Sequence, residues 1–520
     1  MPISNSAFLF GLIKSMSKAD KRNFRLYAKR IQSNDSMLFI QLFDILDKQK
    51  TLDEAKIIER LGNIAKGQLA NIKRHLYKQI LTSLRLIHIN RQKSIEVREH
   101  IDFAHVLYSK GLYLQSLKIL QRAKRMAEDN DLELIVLEII EFQKVIESRH
   151  ITNTGPIKNE ALVAEAKLRF DSVQTAILLS NLRIKLHGYY IKNSHVKNED
   201  ERKEIIRYLE ENLPPVDLSK LGYSEKIYLY QSYVWYYYIL LDFEKCYECA
   251  LKWTHIFEEN PELTLQDPDL FMRGMHYLLT ATYNLQDHEK HEVYLVKLQK
   301  FRKSNYHRFN ENSKIFSFLY VHWARFDKYF LSGDFANGIQ IIPNTLRRIK
   351  RYQDRVAPHR IMLLYYKITW MYLGNGNPSK AMDYVSKIIN QRGQDFREDI
   401  QSYSRLLYLM IHYDLDNIDL LPYLVKTVET FFNKIKVKNK LQHEAMIFFK
   451  NLSKSTISDR TKILKDFHAK LELLALNPYE RRALIYLDIR SWVNSKLERK
   501  SIGEIIKERH TTLSEPMSRS

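Results

Sequence analysis

Glycine and proline are scarce, at 14 and 12 residues, together 26 of 520 or 5%, against about 12% in average usage. Both make tight turns and both are costly inside helices. Their scarcity therefore argues against a turn-rich β-sandwich or barrel and for long helices with short connections. Cysteine is rarer still. Cys246 and Cys249 are the only two, three apart on one helical face, where a bond between them suits the geometry poorly. A reducing compartment, and hence a cytoplasmic location, is expected. Long apolar runs are missing as well. Ala7 to Ile13 is too short to span a bilayer and is followed, not preceded, by Lys14, Lys18, Lys21 and Arg22, which argues against a signal peptide. Tyr228 to Leu241 covers 14 residues, short of the roughly 20 that a membrane-crossing helix needs. No membrane partner is expected.

The chain carries 45% hydrophobic and 28% charged residues, the composition of a folded globular protein. At 520 residues it exceeds the roughly 250 to 300 at which one core stops growing, so several domains or a repeat array are required. Formal net charge is +21, and residues 1–100 hold 19 Lys and Arg against 9 Asp and Glu, a local surplus of +10. A second basic knot comprises Arg347, Arg348, Lys350, Arg351, Arg355 and Arg360, and Glu258, Glu259, Glu262, Asp267 and Asp269 form an acidic connector. Such fields attract polyanions, so nucleic acid enters as a possible partner of the basic front.

Apolar residues recur at three- and four-residue spacing in nearly every segment, which predicts amphipathic helices throughout. Ser17 with Asp20 and Thr51 with Glu54 have capping-box spacing. Asn377 before Pro378, and Asn477 before Pro478 with Glu480 following, place a cap and then a proline at the first helical position. From His100 the chain runs Phe103, Ala104, Leu107, Gly111, Tyr113, Ser116, Leu120 and Ala123. This pattern resembles the tetratricopeptide repeat, in which a small residue in each of two helices lets them cross closely. Ala104 and Ser116 are that pair. Looser copies run from Tyr230 through Cys246 to Ala250, from His322 through Gly338 to Ile342, and from Tyr365 through Ala381 to Ile388. Two further candidates, Leu279 to Leu298 and Tyr408 to Phe431, keep the rhythm without the small residues. The resemblance implies an all-α fold, a right-handed α-solenoid of stacked helical hairpins.

Four segments follow from this division. Residues 1–95 form a basic N-terminal helical domain, with helices near 17–32, 36–49, 52–62 and 66–89. Residues 96–475 are the tetratricopeptide-like repeats. Residues 476–507 are a C-terminal capping helix, running from Tyr479 to about Lys500, and 508–520 a flexible tail. The run from Ser15 to Arg22 together with Tyr486-Leu487-Asp488-Ile489-Arg490-Ser491-Trp492 resembles a group of uncharacterised bacterial helical-repeat proteins. That likeness implies a fold and no function.

Three motifs look chemical and have plainer explanations. Cys246 and Cys249 lack the strand-to-helix setting of a redox pair and the second ligand pair of a zinc site, so core packing is expected. His288 and His291 lack the four-residue spacing of a hydrolytic zinc helix, so a solvated turn is expected. Gly374 to Lys380 lacks the Gly-Lys-Ser/Thr ending of a phosphate loop, so an interhelical turn is expected. No enzyme, metal or cofactor is predicted.

The aromatic pattern is sharper. In the register that the resemblance implies, the inner face receives Tyr228, Gln231, Trp235 and Tyr238, then Tyr320, Trp323 and Phe330, then Tyr366 and Trp370. Rings of this kind dominate binding hot spots, and the alternative is that they pack between helices. A non-enzymatic scaffold that binds a peptide or helix of another protein in a concave aromatic groove is the leading expectation. The alternative is a transcriptional regulator whose residues 52–89 form a helix-turn-helix, with Lys66, Lys73, Arg74 and Lys78 on phosphates and the repeats as a sensor.

Overall fold

The computed structural model describes residues 5–30, 36–62, 65–89, 92–150, 156–391, 398–435 and 439–514. They are helical almost throughout and include no strand. Two compact units divide the chain, 1–174 and 175–520.

The first unit opens with α1 (Asn5–Ser15), α2 (Lys18–Arg30), α3 (Ser36–Lys48), α4 (Glu54–Arg60) and α5 (Lys66–His88). Residues 1–95 thus hold one helix more than the periodicity suggests. The unread helix is α1, whose short apolar run has no polar face to betray its period, and it buries Leu9 and Ile13. Helices α1 to α5 close around Phe24, Leu42, Ile57, Leu76 and Ile80. Then come α6 (Lys93–Ser109), α7 (Tyr113–Glu128), α8 (Glu133–His150) and the start of α9 (Pro156–Asn193), around a separate core that includes Val97, Ala104 and Ile139.

The second unit continues α9 and adds α10 (Glu199–Asn212), α11 (Tyr223–Ile239), α12 (Phe243–Glu259), α13 (Pro261–Gln266), α14 (Pro268–Asn284) and α15 (His288–Asn305). Next are α16 (Glu311–Ser332), α17 (Phe335–Gln340), α18 (Ile342–Tyr352), α19 (Pro358–Gly374), α20 (Pro378–Ile389), α21 (Glu398–Asp414) and α22 (Leu421–Lys434). It ends with α23 (Lys440–Leu452), α24 (Ile457–Leu476), α25 (Arg481–Tyr486), α26 (Ile489–Glu498) and α27 (Ile502–Ser514). Neighbours in sequence pair as hairpins, and α14, α16, α19, α21 and α23 pack one on the next.

One turn recurs and explains how so many helices are joined with so little glycine. Gly111, Asp131, Leu241, Gln286, Gly376 and Asp416 all have positive φ. After each, the next residue donates its N–H to the carbonyl five positions back, as in Asp242 to Tyr237 (3.0 Å), Asp287 to Thr282 (3.0 Å) and Asn377 to Tyr372 (2.8 Å). This is the Schellman closure of a helix. At three of these turns in the second unit the same following residue caps the next helix. Asp242, Asp287 and Asn377 accept from the backbone N–H of Lys245 (3.1 Å), Lys290 (2.9 Å) and Lys380 (3.0 Å). Two adjacent residues therefore end one helix and begin another. With Asp334, which follows left-handed Gly333 and accepts from Asn337 N–H, the caps stand at 242, 287, 334 and 377. Their intervals are 45, 47 and 43 residues, longer than the ~34 of a tetratricopeptide unit.

Close helix crossing uses the small pair. Ser116 Oγ donates to the Ala104 carbonyl at 2.8 Å, and Cys246 Sγ lies 3.7 Å from the Val234 carbonyl, again twelve residues back. The Ser17–Asp20 capping box is closed in both directions, at 2.9 and 3.1 Å. Thr51 does not cap. Asp53, the stronger cap, accepts from Lys56 N–H at 3.2 Å and starts α4 two residues later.

The C-terminal region departs most from expectation. The single helix expected from Tyr479 to about Lys500 is broken at Leu487 and Asp488, where Asp488 caps α26 by accepting from Ser491 N–H at 3.1 Å. Glu480, expected to serve its own helix start, instead accepts from Lys440 and Leu441 N–H at 3.0 and 3.3 Å, capping α23. Helix α27 runs to Ser514, past the Glu508 at which a flexible tail was expected.

Candidate functional site

In the second unit, the first helices of successive hairpins present one face to a common cavity of about 2050 Å³. Helical spacing sets the lining: Gln231, Trp235 and Tyr238 on α11; Arg273, His276, Tyr277 and Tyr283 on α14; Tyr320, Trp323 and Phe330 on α16; Arg360, Tyr366 and Trp370 on α19. Eight of the nine residues singled out from the sequence thus line one space. Tyr228, the ninth, lies outside the lining, with the Arg183 guanidinium 5.6 Å from its ring centroid.

The rings form a continuous wall. His276 stacks on Tyr320 at 4.5 Å and 10°, Trp235 meets Tyr277 edge-on at 5.5 Å, and His187 of α9 lies 4.6 Å from Trp235. Trp370 Nε1 donates to Tyr366 Oη at 3.1 Å. Tyr320, Tyr366 and Trp370 are buried in the core, Trp235, His276 and Tyr277 are half-buried, and the His187 side chain is exposed.

Residues 481–486 cross this face. Tyr366 donates to the Tyr486 carbonyl at 2.8 Å, and Tyr283 to the Ile485 carbonyl at 3.4 Å. Tyr486 stacks on Tyr403 of α21 at 5.9 Å and 10°. Arg482, buried, donates at 2.6 Å to both Tyr238 and Tyr486. Burial works against its charge, yet the facing hydroxyls hold the guanidinium above its usual pKa. This bridge was missed in the sequence, where residues 479–500 read only as a terminal cap. No family model, curated protein or solved structure matches the chain.

The electrostatics are lopsided. Arg183, Arg273 and Arg360 all bear on His187, whose pKa is lowered first by burial and then by these charges. His276 is pushed down to about 3 by burial, then by Arg360, Lys367 and Arg273. Both imidazoles are therefore neutral near pH 7. Three other lining cations are neutralised: Lys367 pairs with Asp327, Arg509 with Asp488 at 3.3 Å, and Arg490 with Glu472 at 2.5 Å.

The remaining sequence candidates resolve differently. Lys73 is half-buried in the first unit and donates to Glu54 (2.7 Å) and Ser6 (2.8 Å), so it ties α5 to α4 and α1. Arg74 and Lys78 are exposed, while the Lys66 side chain lies outside the described residues. His291 is not in a solvated turn. It is fully buried, with Nε2 3.0 Å from the Ala324 carbonyl and Nδ1 3.1 Å from Thr282 Oγ1, and so joins α15 to α16. Cys246 and Cys249 are buried thiols, and Gly374 to Lys380 spans the turn between α19 and α20. Among the described residues, no three His, Cys, Asp or Glu gather as a metal site, and no helix is long and apolar enough to cross a membrane.

Proposed function

We propose that the second unit is a non-enzymatic binding module, a right-handed solenoid of tetratricopeptide-like hairpins that takes a peptide or helix of another protein along its inner face. The observation that carries this reading is the convergence of Gln231, Trp235, Tyr238, Tyr320, Trp323, Phe330, Tyr366 and Trp370 on one cavity. Aromatic anchors held by their own helices lose little entropy on binding and desolvate well. A volume of about 2050 Å³ exceeds the roughly 300 to 1,000 Å³ of small-molecule pockets and suits a polypeptide segment. The cytoplasm is the proposed setting, in keeping with the two cysteines.

The regulator reading has less support, because Lys73 is already engaged by Glu54 and Ser6. Affinity capture from lysate with the wild-type chain and with Trp235→Ala and Phe330→Ala variants tests the proposal. Both positions are only half-buried, so the fold should tolerate the change. Partners retained by wild type should be lost by both variants. Retention of every partner by both would sink the reading.

A further inference from the structure

We propose that the occupant of this cavity is an acidic peptide segment, whose carboxylates seat against Arg183, Arg273 and Arg360; this rests on the peptide-binding reading above and names the chemistry of the peptide. Ten Lys and Arg against four Asp and Glu line the cavity, a surplus of six. Among the described residues, none of the three arginines forms an ion pair. Each is instead set by an aromatic ring: Arg183 lies 5.6 Å from the Tyr228 centroid, Arg360 lies 5.4 Å from that of Phe316, and Arg273 engages the Tyr320 hydroxyl. Stacked and hydrogen-bonded in this way, a guanidinium keeps donors free for a bidentate carboxylate. Arg183 stands one turn before His187 on α9, and all three arginines line the same cavity.

Uncompensated cations are costly where burial limits their hydration. An occupant rich in negative charge relieves that cost, whereas a neutral apolar helix does not. Single-stranded nucleic acid offers the same charge and is the competing outcome.

Fluorescence anisotropy on the full-length protein decides the matter with three labelled probes: a peptide of alternating Glu and Leu, its Gln and Leu counterpart, and an oligothymidylate. The Glu peptide should bind at least about tenfold tighter than the Gln peptide and weaken as salt rises. Arg273→Met and Arg360→Met should each lose about tenfold for the Glu peptide alone. Equal binding of the two peptides overturns the acidic specificity and leaves the peptide reading standing. Binding of neither peptide overturns both. Tighter binding of the oligothymidylate, lost in the same variants, overturns the proposal in favour of nucleic acid. If a methionine variant fails to fold by circular dichroism, the salt dependence of the wild-type protein still decides: Glu-peptide binding insensitive to salt overturns the proposal.

Discussion

Tyr366 on α19 donates its hydroxyl to the carbonyl of Tyr486, 120 residues further along the chain, at 2.8 Å, and the same oxygen accepts from Trp370 Nε1 at 3.1 Å. One buried phenol thus satisfies a helix face and the segment that crosses it. Burial raises its pKa, so it stays a neutral donor at any ordinary pH. Tyr366→Phe removes the donor to Tyr486 and strands the Trp370 N–H, so unfolding free energy should fall by about 1–3 kcal/mol. Urea denaturation followed by tryptophan fluorescence measures it, and a loss below a few tenths would show that the bridge contributes little.

Helix α27 meets the end of α16 through two glycines. A methyl group at Gly503 would lie 2.5 Å from the Gly333 carbonyl oxygen, and Gly333 itself has φ of +64°. Because backbone cannot move aside as a side chain can, Gly503→Ala should cost about 1–3 kcal/mol. It should also increase amide exchange in α25 to α27 relative to α19 to α23. Unchanged exchange in the C-terminal helices would refute a role for this contact in holding them.

His322 is buried, and its Nδ1 lies 2.7 Å from Thr345 Oγ1. Thr345 gives its own proton to the Ile341 carbonyl at 2.9 Å, so His322 donates through Nδ1. Burial, then Arg325, Arg302 and Arg348, push its pKa down to about 3. Unfolding returns it to the usual ~6.5, so the unfolded chain binds the extra proton between these limits. Stability is therefore complete above pH 6.5 and falls as pH drops towards 3. His322→Asn should flatten the dependence of melting temperature on pH in that window. It should not abolish it, because His276 titrates there too. An unchanged slope would contradict the assignment.

The two cysteines should be inert in the folded protein. Burial pushes Cys246 well above the usual thiol range and Cys249 up to about 11, so neither supplies thiolate near neutral pH. A thiol-reactive disulfide reagent should titrate close to zero groups natively and two after denaturation, with no thiol lost to a disulfide. Fast native labelling of Cys246 would mean that α11 and α12 open readily.

The helical architecture is legible in the sequence. Three- and four-residue periodicity marks the helices because each hides one face, and Ala104 with Ser116 marks a crossing because only small residues fit there. The cavity-lining positions of α11, α16 and α19 are legible because aromatic residues repeat there at three and four. Those of α14 are not, because its candidate repeat lacks small residues, so Arg273 and His276 passed unnoticed. Residues 481–486 hid for another reason. Their partners, Tyr238, Tyr283 and Tyr366, are more than a hundred residues away, and local pattern carries no information about such contacts. His291 misled because a histidine between charged neighbours looks solvated, while its two nitrogens are satisfied by adjacent helices.

The bridge from Arg482 to Tyr486 also fixes an order of events during synthesis. It emerges from the ribosome after every helix that it spans, and translation at roughly 5–20 residues per second leaves the aromatic rings of α11, α14, α16 and α19 without residues 481–486 for several seconds. On the peptide-binding proposal, a segment that docks in that interval meets these rings before Arg482 and Tyr486 are in place. Co-translational capture and post-translational capture should therefore differ in rate even where the final complex is the same.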